Sequence, residues 1–267
     1  DKNGRMLVKV VTAQLPIGED LSLADKIHIF KRKPDFVCLP EYFFMPPGAR
    51  DYSLYASSLH INQKKLERLS RELDTTLIGG TLVERNSDGF YNTAYVFSRG
   101  RQMATYRKKY PTEGEKSRGI IPGRKLISFE ISGLKVGILI CADVLHRESF
   151  ELLAGMNVDL VFIPTVSPLR ADDSLSDKNL RDDKIFLRGS WTANAFLIKT
   201  CGLGTLFGKP LNGRSLIASP WGILWKISPD NEQHPHILSH ILDIDELHEF
   251  RRKSMINELV GKIKPFS

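Results

Sequence analysis

Long apolar runs are missing from this chain of 267 residues, which excludes a helix able to cross a bilayer, since a span needs roughly 20 consecutive apolar residues. The opening stretch DKNGRMLVKVV has no apolar segment followed by a small-residue cleavage site, so a cytoplasmic location is the expectation. Cysteine is scarce as well: Cys38, Cys141 and Cys201 are odd in number, widely spaced and set in apolar surroundings. That pattern excludes a disulfide framework and leaves free thiols. There is no internal repeat, low-complexity tract or linker. What remains is the balance of a globular protein, 42% hydrophobic and 26% charged, in a length that suits a single α/β domain over 1–267.

The formal charge of +7 is local. Nine Lys and Arg face two Glu between Arg99 and Lys125, and the rest of the chain is balanced. Either this 99–125 stretch is a solvated basic loop region, or it forms a mouth that attracts an anionic substrate. No basic helix with interleaved aromatics and no nucleic-acid motif accompanies it, so a nucleic-acid partner is not expected.

The order of elements begins with MLVKVVTAQL as a strand, followed by a helix in LSLADKIHIFKR whose Leu23, Ile27 and Phe30 share one face and are expected to point inward. DFVCLP reads as a short buried strand. The amphipathic helix INQKKLERLSREL, with Leu66, Leu69 and Leu73 inward, leads into the strand TTLIGGTLV. A βαβαβ opening implies parallel strands covered by helices. Hairpins follow, one turning at Arg99-Gly100 and one at Ser132-Gly133. A helix over about 148–154, a strand VDLVFIP, a long helix around 180–194, four further strands and a short helix near 244–253 complete the chain. Many strands with few long helices suggest two stacked sheets with helices outside, an αββα sandwich.

Three strands end in residues of unusual type: FVCLP in Glu41, MATYR in Lys108, and GILI in Cys141. Strand ends fix positions while the loops leaving them stay accessible, and ligands bind there in α/β folds. A cysteine attacks a carbonyl or nitrile carbon as thiolate, so either its pKa is lowered or a base takes its proton. Glu41, partly buried, can serve as that base. Lys108 offers a fixed positive charge to the developing oxyanion, and the Ala142 N–H, at a strand-to-helix turn, offers a second donor.

With those residues in view, the sequence resembles the nitrilase superfamily of carbon–nitrogen hydrolases over nearly its whole length. LPEYFF is similar to the family's glutamate segment, YRKKYPTEGE to its lysine segment, and GILICADVLHRE to its cysteine segment, with Cys141, Asp143 and Glu148 in step. IPTVSP and GRSLIASPWGIL resemble a later pocket strand and a G-x-S-x-x-x-x-P-x-G hairpin. The resemblance implies an αββα fold, a Glu41, Lys108 and Cys141 triad, a second glutamate at Glu115, and hydrolysis of a small amide or carbamoyl compound through a cysteine thioester. It also implies a homodimer, with the tail from about 249–267 reaching across. Nitrile hydrolysis by the same triad, or a non-catalytic relative that binds an anionic partner, are the alternatives. No metal or organic cofactor is called for. Ala142 stands where the family commonly has an aromatic, and VLHR replaces its usual x-R-F-P, so the pocket wall beside the thiol is this chain's own. Substrate-binding candidates are Tyr42, His146, Thr165 and Val166.

Two choices stay open at this level. Lys109 competes with Lys108, because alternation sends neighbouring side chains to opposite faces and only one can enter the site. Glu115 either orients Lys108 or the substrate, or pairs with Lys116 or Arg118. His146 could form a Cys/His pair with Cys141 only if the turn bent sharply. His234, His236 and His240 invite a metal, but no acidic residue or Cys-x-x-Cys joins them in a zinc spacing, so an exposed or satisfied histidine group is expected.

Overall fold

A computed structural model describes residues 4–262, with side chains up to residue 255. Fourteen strands are present: β1 (Leu7–Gln14), β2 (Phe36–Cys38), β3 (Thr76–Asn86), β4 (Gly89–Ser98), β5 (Arg101–Arg107), β6 (Ser128–Ile131), β7 (Leu134–Ile138), β8 (Leu160–Thr165), β9 (Phe196–Cys201), β10 (Thr205–Leu206), β11 (Lys209–Pro210), β12 (Leu216–Ser219), β13 (Gly222–Lys226) and β14 (His236–Asp243). Twelve of them form two sheets of six, ordered β14-β1-β2-β3-β4-β5 and β13-β12-β9-β8-β7-β6. Each sheet has three parallel strands at its centre, β1-β2-β3 and β7-β8-β9, and antiparallel strands outside them. The expected αββα sandwich is what forms.

Alternation along the strands explains the layering. Val8, Val10, Phe36, Cys38 and Ile78 face the second sheet and join its Ile138, Leu160 and Phe162 in one core. Phe36 and Phe162 meet across the sheets at 5.3 Å between ring centroids. The intervening Val11, Ala13, Val37, Leu39 and Leu77 face the other way, toward the helices. A period of two in the side chains thus serves two cores with one strand.

The helices are α1 (Leu23–Lys31), α2 (Ser53–Ser57), α3 (Leu59–Glu72), α4 (Glu113–Lys116), α5 (Arg147–Gly155), α6 (Leu175–Asp182), α7 (Arg188–Ala193) and α8 (Ile244–Lys262). α3 buries Leu66 and Leu69 as its spacing predicts, and Leu73 follows at its end. α1 reverses expectation: Leu23, Ile27 and Phe30 are 73%, 45% and 51% exposed, while Ile29 is the residue it buries. The stripe is real, but the helix lies on the sheet by its other side, held by Lys26 to Glu72 of α3 at 2.8 Å. The long helix expected around 180–194 is α6 and α7 joined through a π-helical turn at Asp183–Leu187, and α8 is longer than expected. Both hairpin turns have positive φ at each central residue, Arg99 and Gly100, then Ser132 and Gly133, which is the geometry that matches strand twist. No helix among the described residues is long and apolar enough to cross a membrane.

Candidate active site

The carboxylate comes from the loop after β2. This loop packs hard against β3, whose bulge between Ile78 and Thr81 carries Gly80 at φ +64°. A Cβ there would stand 2.0 Å from the Pro40 carbonyl oxygen, so the close approach requires glycine. Tyr42, also at positive φ, donates its N–H to Thr81 Oγ1 at 3.0 Å. Glu41 is held between two such anchors and is 1% exposed.

The amine comes from the residue after β5. Lys108 donates its N–H to the Asn92 carbonyl on β4 at 2.8 Å and carries its side chain inward, 1% exposed. Its Nζ lies 2.9 Å from Glu41 Oε1 and 2.8 Å from Glu115 Oε2. Lys109 points out and meets Glu148 at 3.5 Å. The choice between the two lysines is made by the sheet, as is the partner of Glu115, since Lys116 pairs with Glu113 instead. Glu115 is aimed by a capping box: Thr112 N–H donates to its Oε2 at 2.7 Å, and its own N–H donates to Thr112 Oγ1 at 3.2 Å. The T-x-x-E spacing at 112–115 was the available signal for that.

The thiol stands at an elbow. Cys141 has φ +43° and opens a 3-10 helix over Cys141–Leu145. A non-glycine residue in the left-handed region is strained and persists only where its surroundings hold it. Asp143, fully buried, does the holding: its Oδ2 accepts from Ile140 N–H at 2.8 Å and Tyr106 O–H at 2.7 Å, its Oδ1 from Tyr110 N–H at 2.8 Å. The first turn of a helix leaves the Ala142 N–H without an intrahelical acceptor. The Cys141 S–H donates to the Val166 carbonyl at 3.2 Å, and Val166 N–H donates to Glu41 Oε2 at 3.0 Å. One residue at the end of β8 therefore touches both thiol and carboxylate.

Glu41, Lys108, Cys141, Glu115, Tyr42 and Val166 line a cavity of about 150 Å³, with Tyr52, Phe207 and Leu211 on its apolar walls and exposed Arg118 and Lys209 at its mouth. Thr165 and His146 are not in that lining. Thr165 spends its hydroxyl on the Ile163 carbonyl at 3.0 Å, and the exposed His146 ring stacks on Tyr110 with centroids 3.8 Å apart, away from the sulfur. Asn92 was not singled out from the sequence, yet its Nδ2 lies 2.9 Å from both Glu41 Oε1 and Glu115 Oε1. Its signal was an amide inside the apolar strand FYNTAYVF, where Asn is disfavoured.

Protonation follows from burial and neighbours. Burial raises the Glu41 carboxyl above the ordinary range; Lys108 opposes the rise and Glu115 adds to it. Burial also pushes Glu115 up, but Lys108 and the Tyr42 hydroxyl bring it below the ordinary range. Burial alone would lower Lys108, yet Glu41, Cys141 and Glu115 hold it well above the usual lysine value. The Cys141 thiol is pushed up by burial and by the Glu41 carboxylate. Burial and the neighbouring charge therefore favour the protonated form of the Cys141 thiol and raise the basicity of Glu41.

The sequence model of the carbon-nitrogen hydrolase family matches residues 11–252. This chain belongs to the carbon–nitrogen hydrolase family. Among curated relatives, omega-amidase NIT2 of Xenopus tropicalis is 25% identical over 253 residues, covering 88% of this chain and 87% of that protein. Human omega-amidase NIT2 is 30% identical over 138 residues, a segment that spans 48% of this chain and half of the human protein. The carbon-nitrogen hydrolase of Helicobacter pylori G27 has the same fold, with a TM-score of 0.77 at 18% identity over 93% of each chain. An amidase from Nesterenkonia sp. AN1, captured with the acetamide moiety of fluoroacetamide on its active-site cysteine, superimposes with a TM-score of 0.75 at 17% identity, covering 96% of this chain and 97% of its own.

Proposed function

We propose that this carbon–nitrogen hydrolase cleaves a small amide or carbamoyl compound through a thioester on Cys141. Glu41 takes the thiol proton as the sulfur adds to the carbonyl carbon, and Lys108 with the Ala142 N–H stabilises the oxyanion. The C–N bond breaks as Glu41 returns the proton to the departing ammonia or amine. Glu41 then removes a proton from water, hydroxide adds to the thioester, and the acid leaves as the thiol is re-formed. Glu115 stays ionised and keeps Lys108 charged and in place. The observation that carries this reading is the 2.9 Å and 2.8 Å contact of the Lys108 ammonium with Glu41 and Glu115 in a cavity shared with Cys141. The omega-amidase and amidase names of the relatives support it, and the cavity size favours a small acyl group.

The substrate carries a negative charge at its far end. Arg118 and Lys209 support this, exposed at the mouth with no carboxylate partner among the described residues. Elsewhere in the basic 99–125 stretch Arg99, Arg107, Lys108, Lys109 and Lys116 are salt-bridged, which leaves little of it to recruit a nucleic acid. The enzyme works in the cytoplasm as a homodimer. The family resemblance supports the dimer, as do Leu145, Leu180, Trp191 and Trp221, exposed around a broad hollow beside α5, α6 and α7. Residues 263–267 of the tail expected to cross that dimer lie outside the described residues.

Ammonia release from a panel of amides, carbamoyl compounds and nitriles, with Cys141→Ala as control, tests the proposal. Turnover of an anionic amide lost in Cys141→Ala is the expected result. Preference for a nitrile would replace the substrate class, and anion binding indifferent to Cys141→Ala with no turnover would leave only a binding protein.

A further inference from the structure

We infer that Asn92 is a positioning residue for the acid–base step: its carboxamide holds Glu41 toward Cys141 and lets Glu41 and Glu115 share one ammonium. This rests on the Glu41 and Cys141 roles proposed above and assigns a role to a residue outside the triad.

Asn92 makes contact with every charged member of the cluster. Its carbonyl accepts the Lys108 N–H at 2.8 Å, and its Nδ2 reaches Glu41 Oε1 at 2.9 Å, Glu115 Oε1 at 2.9 Å and Tyr42 OH at 2.8 Å. The strand that seats the lysine main chain thus also seats both carboxylates. An amide nitrogen has two hydrogens for these three oxygens. Glu115 Oε1 already receives the Tyr42 O–H at 2.6 Å and Lys108 Nζ at 3.0 Å. Among the described residues, Glu41 Oε1 has only Lys108 besides the amide. The Asn92 donor therefore matters most to Glu41.

Two carboxylates and one ammonium leave an excess of one negative charge in a buried place. A neutral donor relieves that excess without adding a proton of its own to the chemistry. The amide orientation is fixed by the same electrostatics. Asn92 Oδ1 is buried without a hydrogen-bond partner, and turning the amide to find one would set that oxygen against three others. With Oε1 held by Lys108 and Asn92, and Oε2 by Val166 N–H, the Glu41 carboxylate cannot rotate away from the thiol that shares Val166. The titratable groups facing Glu41 are Lys108 after β5, Glu115 from α4, Cys141 at the elbow, and the Tyr42 and Tyr52 hydroxyls. Asn92 is the neutral side-chain donor among them.

The test is the pH dependence of Cys141 alkylation by iodoacetamide, a small primary amide, followed by mass mapping of the modified peptide. Wild-type reactivity falls on the acid side as Glu41 protonates. Asn92→Asp keeps the shape but exchanges the donor for a third carboxyl, and it moves that acid limb up by about one pH unit or more, slowing alkylation at neutral pH roughly tenfold. Asn92→Ser leaves room for water in place of the amide and moves the limb in the same direction by less. Thermal unfolding checks that each variant is folded; if Asn92→Asp is not, the serine variant decides alone. A merely structural side chain would lower the melting temperature and leave the limb where it was in Asn92→Ser, which adds no charge, and a folded Asn92→Ser with an unmoved limb overturns the inference. A wild-type Cys141 with no acid limb at all overturns the Glu41 reading itself, which keeps the two failures apart.

Discussion

Among the described residues, two of the buried ionic clusters are built to different ends. In one, Lys108 faces Glu41 and Glu115; in the other, Arg214 bridges Asp182 and Glu232, and Lys178 also reaches Glu232 at 2.7 Å. The second is balanced, two cations against two anions, with Asn212 donating to Glu232 at 3.2 Å. It ties α6 to the approach of β12 and to the 3-10 turn at Pro229–Asn231, and it lines neither the thiol's cavity nor any strained elbow. The first is short of one positive charge, opens on a cavity, and borders two residues, Tyr42 and Cys141, with positive φ. Charge balance and full satisfaction make a fastening. An unbalanced pair of carboxylates, one raised and one lowered in pKa, makes a site where a proton can move.

That contrast can be broken or sharpened by experiment. The largest expected effect is Cys141→Ala, which removes the proposed nucleophile and reduces ammonia release from the preferred amide by about 10⁴-fold or more, while the melting temperature stays close to wild type. Next is the exchange of cations for a neutral chain. Lys108→Met leaves Glu41 and Glu115 facing each other and abolishes turnover at neutral pH. Arg214→Met strands Asp182, leaves Glu232 to Lys178 alone among the cations, and costs about 3–5 kcal/mol in denaturant unfolding, yet the surviving folded enzyme keeps kcat within a few-fold. Equal loss of kcat in both variants would erase the distinction between fastening and site.

The pH profile is a finer probe. Glu41 is raised in the folded protein and in the proposed mechanism must be ionised to act as base, so the acid limb of kcat/KM is expected above the ordinary glutamate range. Because Lys108 and the thiol are both raised, the plateau extends well into alkaline solution. Glu115 has the opposite sign: its folded pKa is depressed, so the stability it contributes is present above its unfolded pKa and is lost as pH falls through the folded one. Activity should therefore fail on acidification before that contribution to the fold does, as parallel activity and circular-dichroism titrations would record. The smallest effect belongs to the surface stripe of α1: Phe30→Gln changes stability by no more than about 0.5 kcal/mol, whereas Leu66→Ala on α3 costs about 2–5 kcal/mol.

The α1 and α3 pair also measures what the sequence could convey. Both helices show apolar residues at helical spacing, but periodicity gives a stripe and not its destination. In α3 the stripe meets β3, where Leu66 packs over Gly79; in α1 it faces solvent, because the sheet below takes only Ile29. Similar limits apply at the site. Strand ends and order were enough to single out Glu41, Lys108 and Cys141, with Lys109 still in contention, and the family resemblance added Glu115. Asn92 and the bracing role of Asp143 were not read, since a polar residue in an apolar strand shows its burial only when its partners are known. His146 and Thr165, close in sequence to the thiol and to Val166, fall outside the cavity because the elbow and the strand pleat turn them away.

By itself the sequence determined most local elements, the parallel strands of the opening third, and the acid, amine and thiol at three strand ends, because backbone propensity and side-chain period are properties of neighbours. The tertiary structure decided which lysine enters, which helix face is covered, how two carboxylates share one ammonium, and that a single amide joins them. Those are outcomes of contacts between residues as far apart as Glu41 and Val166, where pleat, burial and charge act together and no local pattern records the meeting.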